Sequence, residues 1–265
     1  MGAGQTLTTL ERRTMKRILL SLALALLLAS PAGAEITFVD KSEAEAEAGS
    51  GNIILDFPDT VANGDVAIAC VYSRDNVTHT LTDWTQIAQG NGSGTSSRIS
   101  AWYLRYAGSA PNLVVGHAAG DSIVGGVVIF RGVKASGSPI DATGTGSVSG
   151  GTGDTTIEHA SITPTTSNTM LIACNGATDN QARNPIPTDF TCAWPTEFES
   201  ACSITTSLGS DASVALHWKT HSSGATGTIV DTHTGSTTVG WGSVLFSLEA
   251  AATSARRRTA PIIFP

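Results

Sequence analysis

What this 265-residue sequence lacks narrows its options first. Charge is scarce: Asp, Glu, Lys and Arg make up 14% of the chain, and the balance is −7 at pH 7. A net-negative chain with so few cations repels a phosphate backbone, so nucleic acid is a poor partner. No basic amphipathic helix is present to bind anionic lipid. Catalytic signatures are missing too. There is no G-x-S-x-G elbow, no G-x-G-x-x-G, no P-loop, no H-E-x-x-H and no C-x-x-C. Outside the N-terminal region, no long segment holds a helical period.

The N-terminal apolar run, Ile18 to Ala29, has 12 residues, which is short for a membrane span and ordinary for a signal-peptide core. Lys16 and Arg17 precede it, and Ala32-Gly33-Ala34 follows as an A-x-A cleavage site. This pattern predicts a secretory signal within residues 1–34, a true start at Met15 and cleavage before Glu35, with no stable membrane span left afterwards. Residues 1–34 carry four basic residues and one acidic residue, so their removal takes the net charge from −7 to −10. Export makes disulfides permissible.

What is present is strand signal. "DVAIACVY" (65–72) is apolar on both faces, as a strand covered on both sides would be. "NIILDF", "RISAWYLRYA", "NLVVGHA" and "SIVGGVVIFRGV" follow the same style, separated by Gly, Ser, Asp and Pro clusters. "KSEAEAEAGSG" (41–51) reads as a polar loop or a short helical turn. The second half repeats the plan. "DVAIAC" is answered by "TMLIAC", "TDWT" by "TDFT", "ISAWYLRY" by "VALHWKTH" and "GVVIF" by "GSVLF", at spacings that grow from 104 to 116 residues. The expectation is an all-β, antiparallel, jelly-roll-like β-sandwich over 35–250. It would be built from two sequence-related halves, about 35–140 and 141–250, and followed by a tail, 251–265. A core shared between the halves is preferred to two separate sandwiches, because a larger unit buries a larger fraction of its surface. Ile140, Ala142 and Val148 give the connecting stretch some strand alternation of its own.

Several short motifs follow one another along the chain: Gly64-Asp65-Val66, Trp84-Thr85, Phe130-Arg131-Gly132-Val133, Pro139-Ile140-Asp141, Asn168-Thr169-Met170 and Gly224-Ala225-Thr226-Gly227. Over residues 50–250 this order resembles a loosely defined class of duplicated β-sandwich proteins. Its members occur among tailed-phage structural proteins and bacterial secreted or surface proteins of mostly unknown function. The resemblance implies the fold and either a virion or a cell-surface setting. The signal peptide favours the surface.

Site candidates are few. Cys192 and Cys202 flank a turn-like stretch and are expected to form a disulfide. Cys70 and Cys174 hold matching places in the two halves, either as buried thiols or as a pair. The six histidines, at 79, 117, 159, 217, 221 and 233, are scattered and read as surface or half-buried side chains. Asp83 and Asp189 read as turn residues after a Thr. Loop aspartates such as Asp56, Asp59, Asp65 and Asp121 are of a type that suits Ca²⁺, but no D-x-D-x-D-G loop supports it, so no cofactor is expected. Trp84 and Trp102 fit a core. Trp194, beside Pro195, is the candidate exposed ring for stacking on a sugar. The tail residues 254–265 combine Arg256–Arg258 with Ile262–Phe264, which suits docking onto a second copy. Together these features suggest an exported, non-enzymatic protein, secreted or at the cell surface, for attachment to or binding of a glycan or protein partner. The alternatives are a virion or filament subunit and a carbohydrate-active enzyme.

Overall fold

Every regular element among the described residues is a β-strand, and the strand pairings are antiparallel. The computed structural model describes residues 35–46, 51–91, 97–117, 121–145, 155–178, 184–194, 202–206, 212–232 and 240–252. The expected leader, the tail 254–265, Val148 and His233 lie outside these residues.

The first half supplies β1 (Thr37–Ala46), β2 (Asn52–Ile54), β3 (Val66–Ser73), β4 (Thr80–Leu81), β5 (Thr85–Asn91), β6 (Arg98–Arg105), β7 (Val114–Gly116) and β8 (Ile123–Arg131). Five of these form a large sheet in the order β1-β8-β3-β6-β5, and the other three form a small sheet, β2-β7-β4. The second half supplies β9 (Ile140–Thr145), β10 (Thr156–His159), β11 (Thr169–Ala177), β12 (Thr191–Cys192), β13 (Ile204–Thr206), β14 (Ala212–His221), β15 (Ile229–Thr232) and β16 (Trp241–Leu248). Its large sheet runs β12-β14-β11-β16-β9, with β13 also on β14, and its small sheet is β10-β15.

The alternation inside β3 shows how these sheets stack. Val66, Ile68, Cys70 and Tyr72 point into one apolar cluster, together with Ile172, Cys174, Leu216 and Phe246 of the second large sheet. Ala67, Ala69 and Val71, on the opposite face, join Ile53 and Val115 of the small sheet and Leu55 just after β2. On the far side, Leu171, Ala173 and Leu245 of the second large sheet pack with Ile162, Phe190 and Ile229. The strands therefore lie in four layers, small-large-large-small, with three apolar fillings. This is why both central strands, β3 and β11, are buried along their whole length, and why "DVAIACVY" carries no polar face.

The central layer is tied across its middle. A Cys70–Cys174 disulfide joins β3 to β11. Phe38 stacks on Trp218 with ring centroids 4.8 Å apart. The Tyr72 ring lies against Gly176, where a Cβ would collide with it, and its hydroxyl donates to the Gly240 carbonyl at 3.1 Å. Only a glycine admits that approach.

Two expectations are corrected here. The described part of "KSEAEAEAGSG", Lys41–Ala46, is neither loop nor helix: β1 runs through it, and its pairing with β8 extends to Ala46 opposite Ile123, while residues 47–50 lie outside the described residues. Ala and Glu favour helix locally, but β8 offers a full row of backbone partners on that side, and tertiary pairing overrides a weak propensity. "GVVIF" and "GSVLF" both lie on strands beside the cysteine-bearing strands, but not in the register that the match expects. Cys70 pairs with Gly126, whereas Cys174 pairs with Val244, two residues beyond Gly242.

Candidate functional site: a buried histidine–aspartate cluster beside a disulfide

The turn residues come out alike in both halves. Asp83 and Asp189 both have positive φ, 71° and 66°, a conformation that Asp tolerates better than most residues. Each sends the following ring inward, Trp84 into the first outer layer and Phe190 into the second.

Trp194 is not the exposed ring expected. It is 1% accessible and belongs to the central cluster. The Ala193 N–H donates to Leu216 O at 2.9 Å, and Trp194 O accepts from Ser203 N–H at 3.1 Å, so the backbone is sewn to β14 and to the approach of β13. The indole then turns into the core over Gly126, and Nε1 donates to Ser42 O of β1 at 3.1 Å. A large ring that also finds a partner for its N–H gains more from burial than from exposure.

The histidines depart furthest from expectation. His79, His117, His159 and His217 are all buried. In the first half, His79 sits between two hydroxyls, Ser100 Oγ at 2.9 Å and Ser73 Oγ at 2.8 Å. His117 Nε2 lies 2.6 Å from Asp75 Oδ1, and Asp75 Oδ2 accepts the Asp121 N–H at 2.9 Å. Burial, with help from the nearby His117 and Arg98, pushes His79 down to about 3. Burial pushes the Asp75 carboxyl up, but His117 and the Asp121 N–H outweigh it and hold the group below its usual range.

In the second half, four polar side chains from four strands converge with no solvent access: His159 of β10, Asp231 of β15, His217 of β14 and Asn175 of β11. Asp231 Oδ2 accepts from His159 Nε2 at 2.9 Å and from Asn175 Nδ2 at 2.8 Å. Asp231 Oδ1 lies 2.9 Å from His217 Nε2. Burial alone would raise the Asp231 carboxyl, yet the two histidines hold it well below the ordinary carboxylate range. His217 is also the direct cross-strand neighbour of Cys192. Cys192 is bonded to Cys202, and the two sulfurs and one ring nitrogen of His217 lie within 4.8 Å of one another. Among the described residues, this is the group of three potential ligand residues that lie together, although its two sulfurs are bonded to each other. The loop aspartates considered for Ca²⁺ are dispersed: Asp65 pairs with Arg131 at 2.7 Å and Asp121 lies 3.8 Å from Arg74.

A cleft of about 300 Å³ opens on the second half between the turn at Pro187–Thr188 and the stretch Thr228–Val230. Phe190 and Ile229 form apolar wall, Thr188 and Thr228 offer exposed hydroxyls, and Lys219 Nζ stands 4.7 Å over the Phe190 ring.

Sequence reasoning missed the histidine cluster. Its one local trace is a lone His or Asp inside otherwise apolar strand text, in "ALHW", "IEH" and "IVD". No protein-family model, curated protein or solved structure matches the chain. The two disulfides fit an extracellular or secreted protein. Among the described residues no helix is long and apolar enough to cross a membrane.

Proposed function

We propose that the protein is an exported β-sandwich, built from a duplicated jelly-roll-like unit, that attaches to a surface by binding glycan. The observation that carries the binding reading is the cleft beside Phe190. It pairs the edges of two largely buried apolar side chains with exposed threonines and one cation, the mixture that meets the apolar faces and hydroxyl rims of a sugar. The order of strands supports duplication: β1-β8-β3-β6-β5 and β9-β16-β11-β14-β12 visit equivalent places in the same sequence order. Cys70 and Cys174, and Asp83 and Asp189, fall at matching points of the two series. The signal-like residues 15–34 support export.

A polysaccharide array followed by titration tests the reading. The protein is expected to bind at least one glycan, and Lys219→Ala to weaken that binding at least about tenfold, the loss of one good polar contact. Failure to retain any polysaccharide refutes it. A second reading, a filament or virion subunit, is favoured by a different surface. Ile54 and Val114, 68% and 41% exposed, are direct cross-strand partners on the small sheet of the first half. Assemblies in electron micrographs that Ile54→Lys abolishes would support it; monomers alone would count against it.

A further inference from the structure

The corner formed by Cys192, Cys202 and His217 has a property that the glycan reading does not use. His217 is fully buried, and its Nδ1 has no hydrogen-bond partner. Nε2 is taken up by Asp231 Oδ1 at 2.9 Å, which leaves Nδ1 as the unpaired atom. A dry imidazole left in this state is costly, since an unmade buried hydrogen bond forfeits the desolvation of the group. Two sulfurs stand beside it.

We propose that reduction of the Cys192–Cys202 disulfide turns this corner into a site for a thiophilic divalent cation of the zinc class. Two thiolates and one His217 nitrogen would hold the ion, leaving its fourth position open. Three considerations support it. First, the donor set is right: two sulfurs and one imidazole is a zinc-type combination, and three protein ligands leave room for a water or an incoming group. Second, the geometry is nearly in place. Tetrahedral Zn–S and Zn–N bonds of about 2.3 and 2.0 Å put ligand atoms about 3.5–3.8 Å apart. The three donor atoms already fall within 4.8 Å, and loss of the S–S bond lets the sulfurs move outward to that spacing. Third, a supporting contact exists. A metal-bound histidine usually turns its other nitrogen to a carboxylate, and His217 Nε2 already faces Asp231, itself anchored by His159 and Asn175. That leaves Nδ1 as the free donor.

The chemistry balances with an external dithiol as reductant. The dithiol gives two electrons and two protons to the Cys192–Cys202 bond and becomes a disulfide, and the protein gains two thiols. Metal binding then displaces both thiol protons to solvent, and neutral His217 donates a lone pair. Cys192 is only half-buried, so attack on the disulfide has a route from solvent, while Cys202 is buried. In the oxidised protein the same sulfurs are committed to each other, and the site does not exist.

Anaerobic titration of the full chain with Co²⁺, before and after treatment with a dithiol and its removal, tests this. Alkylation mass spectrometry first confirms free thiols at Cys192 and Cys202, and circular dichroism confirms retained strand structure. The expected result is a thiolate-to-cobalt charge-transfer band that saturates at one ion per chain in the reduced protein, is absent in the oxidised protein and is displaced by Zn²⁺. His217→Ala should weaken Co²⁺ binding at least about a hundredfold, and Asp231→Asn about tenfold, as loss of a supporting carboxylate does. Cys192→Ser, which removes one ligand and leaves Cys202 free, should abolish the band in protein that remains folded. A reduced, folded chain with no cobalt band overturns the proposal. So does a band that His217→Ala leaves at full affinity, or a Cys192–Cys202 bond that yields only when the protein unfolds.

Discussion

Trp102 and His217 occupy the same station in the two large sheets. Trp102 lies opposite Ala69 on β3, and His217 lies opposite Ala173 on β11. Both point away from the shared central layer toward a small outer sheet. Around Trp102 the outer layer is largely apolar, with Leu55, Leu81, Val115, Val127 and Ile129, and His79 stands at its rim. Around His217 it divides into an apolar patch at Phe190 and Ile229 and a polar knot of His159, Asp231 and Asn175. The backbone plan tolerates either filling, but the two obey different rules. The apolar filling gains roughly 25 cal/mol per Å² removed from water and forgives small errors of shape. The polar filling gains little net energy and must be complete, because each unpaired group is a large penalty. A layer that gives up apolar burial for a half-satisfied imidazole is where a ligand-binding role is easiest to explain.

The sharpest way to break the comparison is to remove the hub of the knot. Asp231→Ala leaves His159 and Asn175 without their acceptor and is expected to cost about 3–5 kcal/mol in urea unfolding. Converting the knot to apolar residues together (Asp231→Leu, His159→Leu and Asn175→Val) should recover most of that loss, because the layer then resembles its counterpart around Trp102. A smaller effect is expected from writing the second half into the first. The residues after the joined cysteines are Val71 and Asn175. Val71→Asn places an amide among Ala67, Ala69 and Val127, beside a cross-strand Ser100 whose hydroxyl is already engaged by His79, at an expected cost of about 1–3 kcal/mol. If Val71→Asn is neutral, the first outer layer is wetter than its packing implies, and the contrast between the halves fails.

The two layers also differ in how far they were legible in sequence. The apolar one was: "DVAIACVY" has no polar face, Trp84 and Trp102 read as core, and the "TDWT" and "TDFT" turns placed Asp83 and Asp189 correctly. Local pattern suffices there, because each residue needs only to be apolar on the right parity. The polar knot was not legible, since His159 and Asp231 are 72 residues apart and meet only because β10 pairs with β15. Trp194 failed for a related reason. Its proximity to Pro195 suggested a loop, while its burial depends on β1 and β8, far away in sequence. The strand over "KSEAEA" (41–46) was hidden by residues whose own preference is helical. Four layers rather than two followed from the small sheets, whose strands of two to four residues are too short to stand out.

The smallest expected effect comes from the polar rim of the apolar layer, and it depends on pH. His79 is enclosed by Ser73, Ser100 and Trp102, with His117, Asp75 and Arg98 as its charged or titratable neighbours. Its pKa in the folded protein is pushed down to about 3, from 6.5 for a free imidazole, chiefly by burial. A folded pKa below the unfolded one means that the native state favours the neutral ring. The stability this confers is fully present above about pH 6.5. It is lost as pH falls from there toward 3, because the unfolded chain takes up a proton that the folded chain refuses. Between pH 6.5 and 5.5 the loss is about 1 kcal/mol, approaching about 1.4 kcal/mol per further unit. Urea midpoints of the wild type and of His79→Gln, measured at pH 7.5, 6.5 and 5.5, isolate the effect. The variant should be less stable at pH 7.5 but lose less on acidification, so that the two curves converge. Parallel curves would mean that His79 protonates in place, and that the hydroxyls of Ser73 and Ser100 accommodate an imidazolium that the buried geometry is expected to exclude.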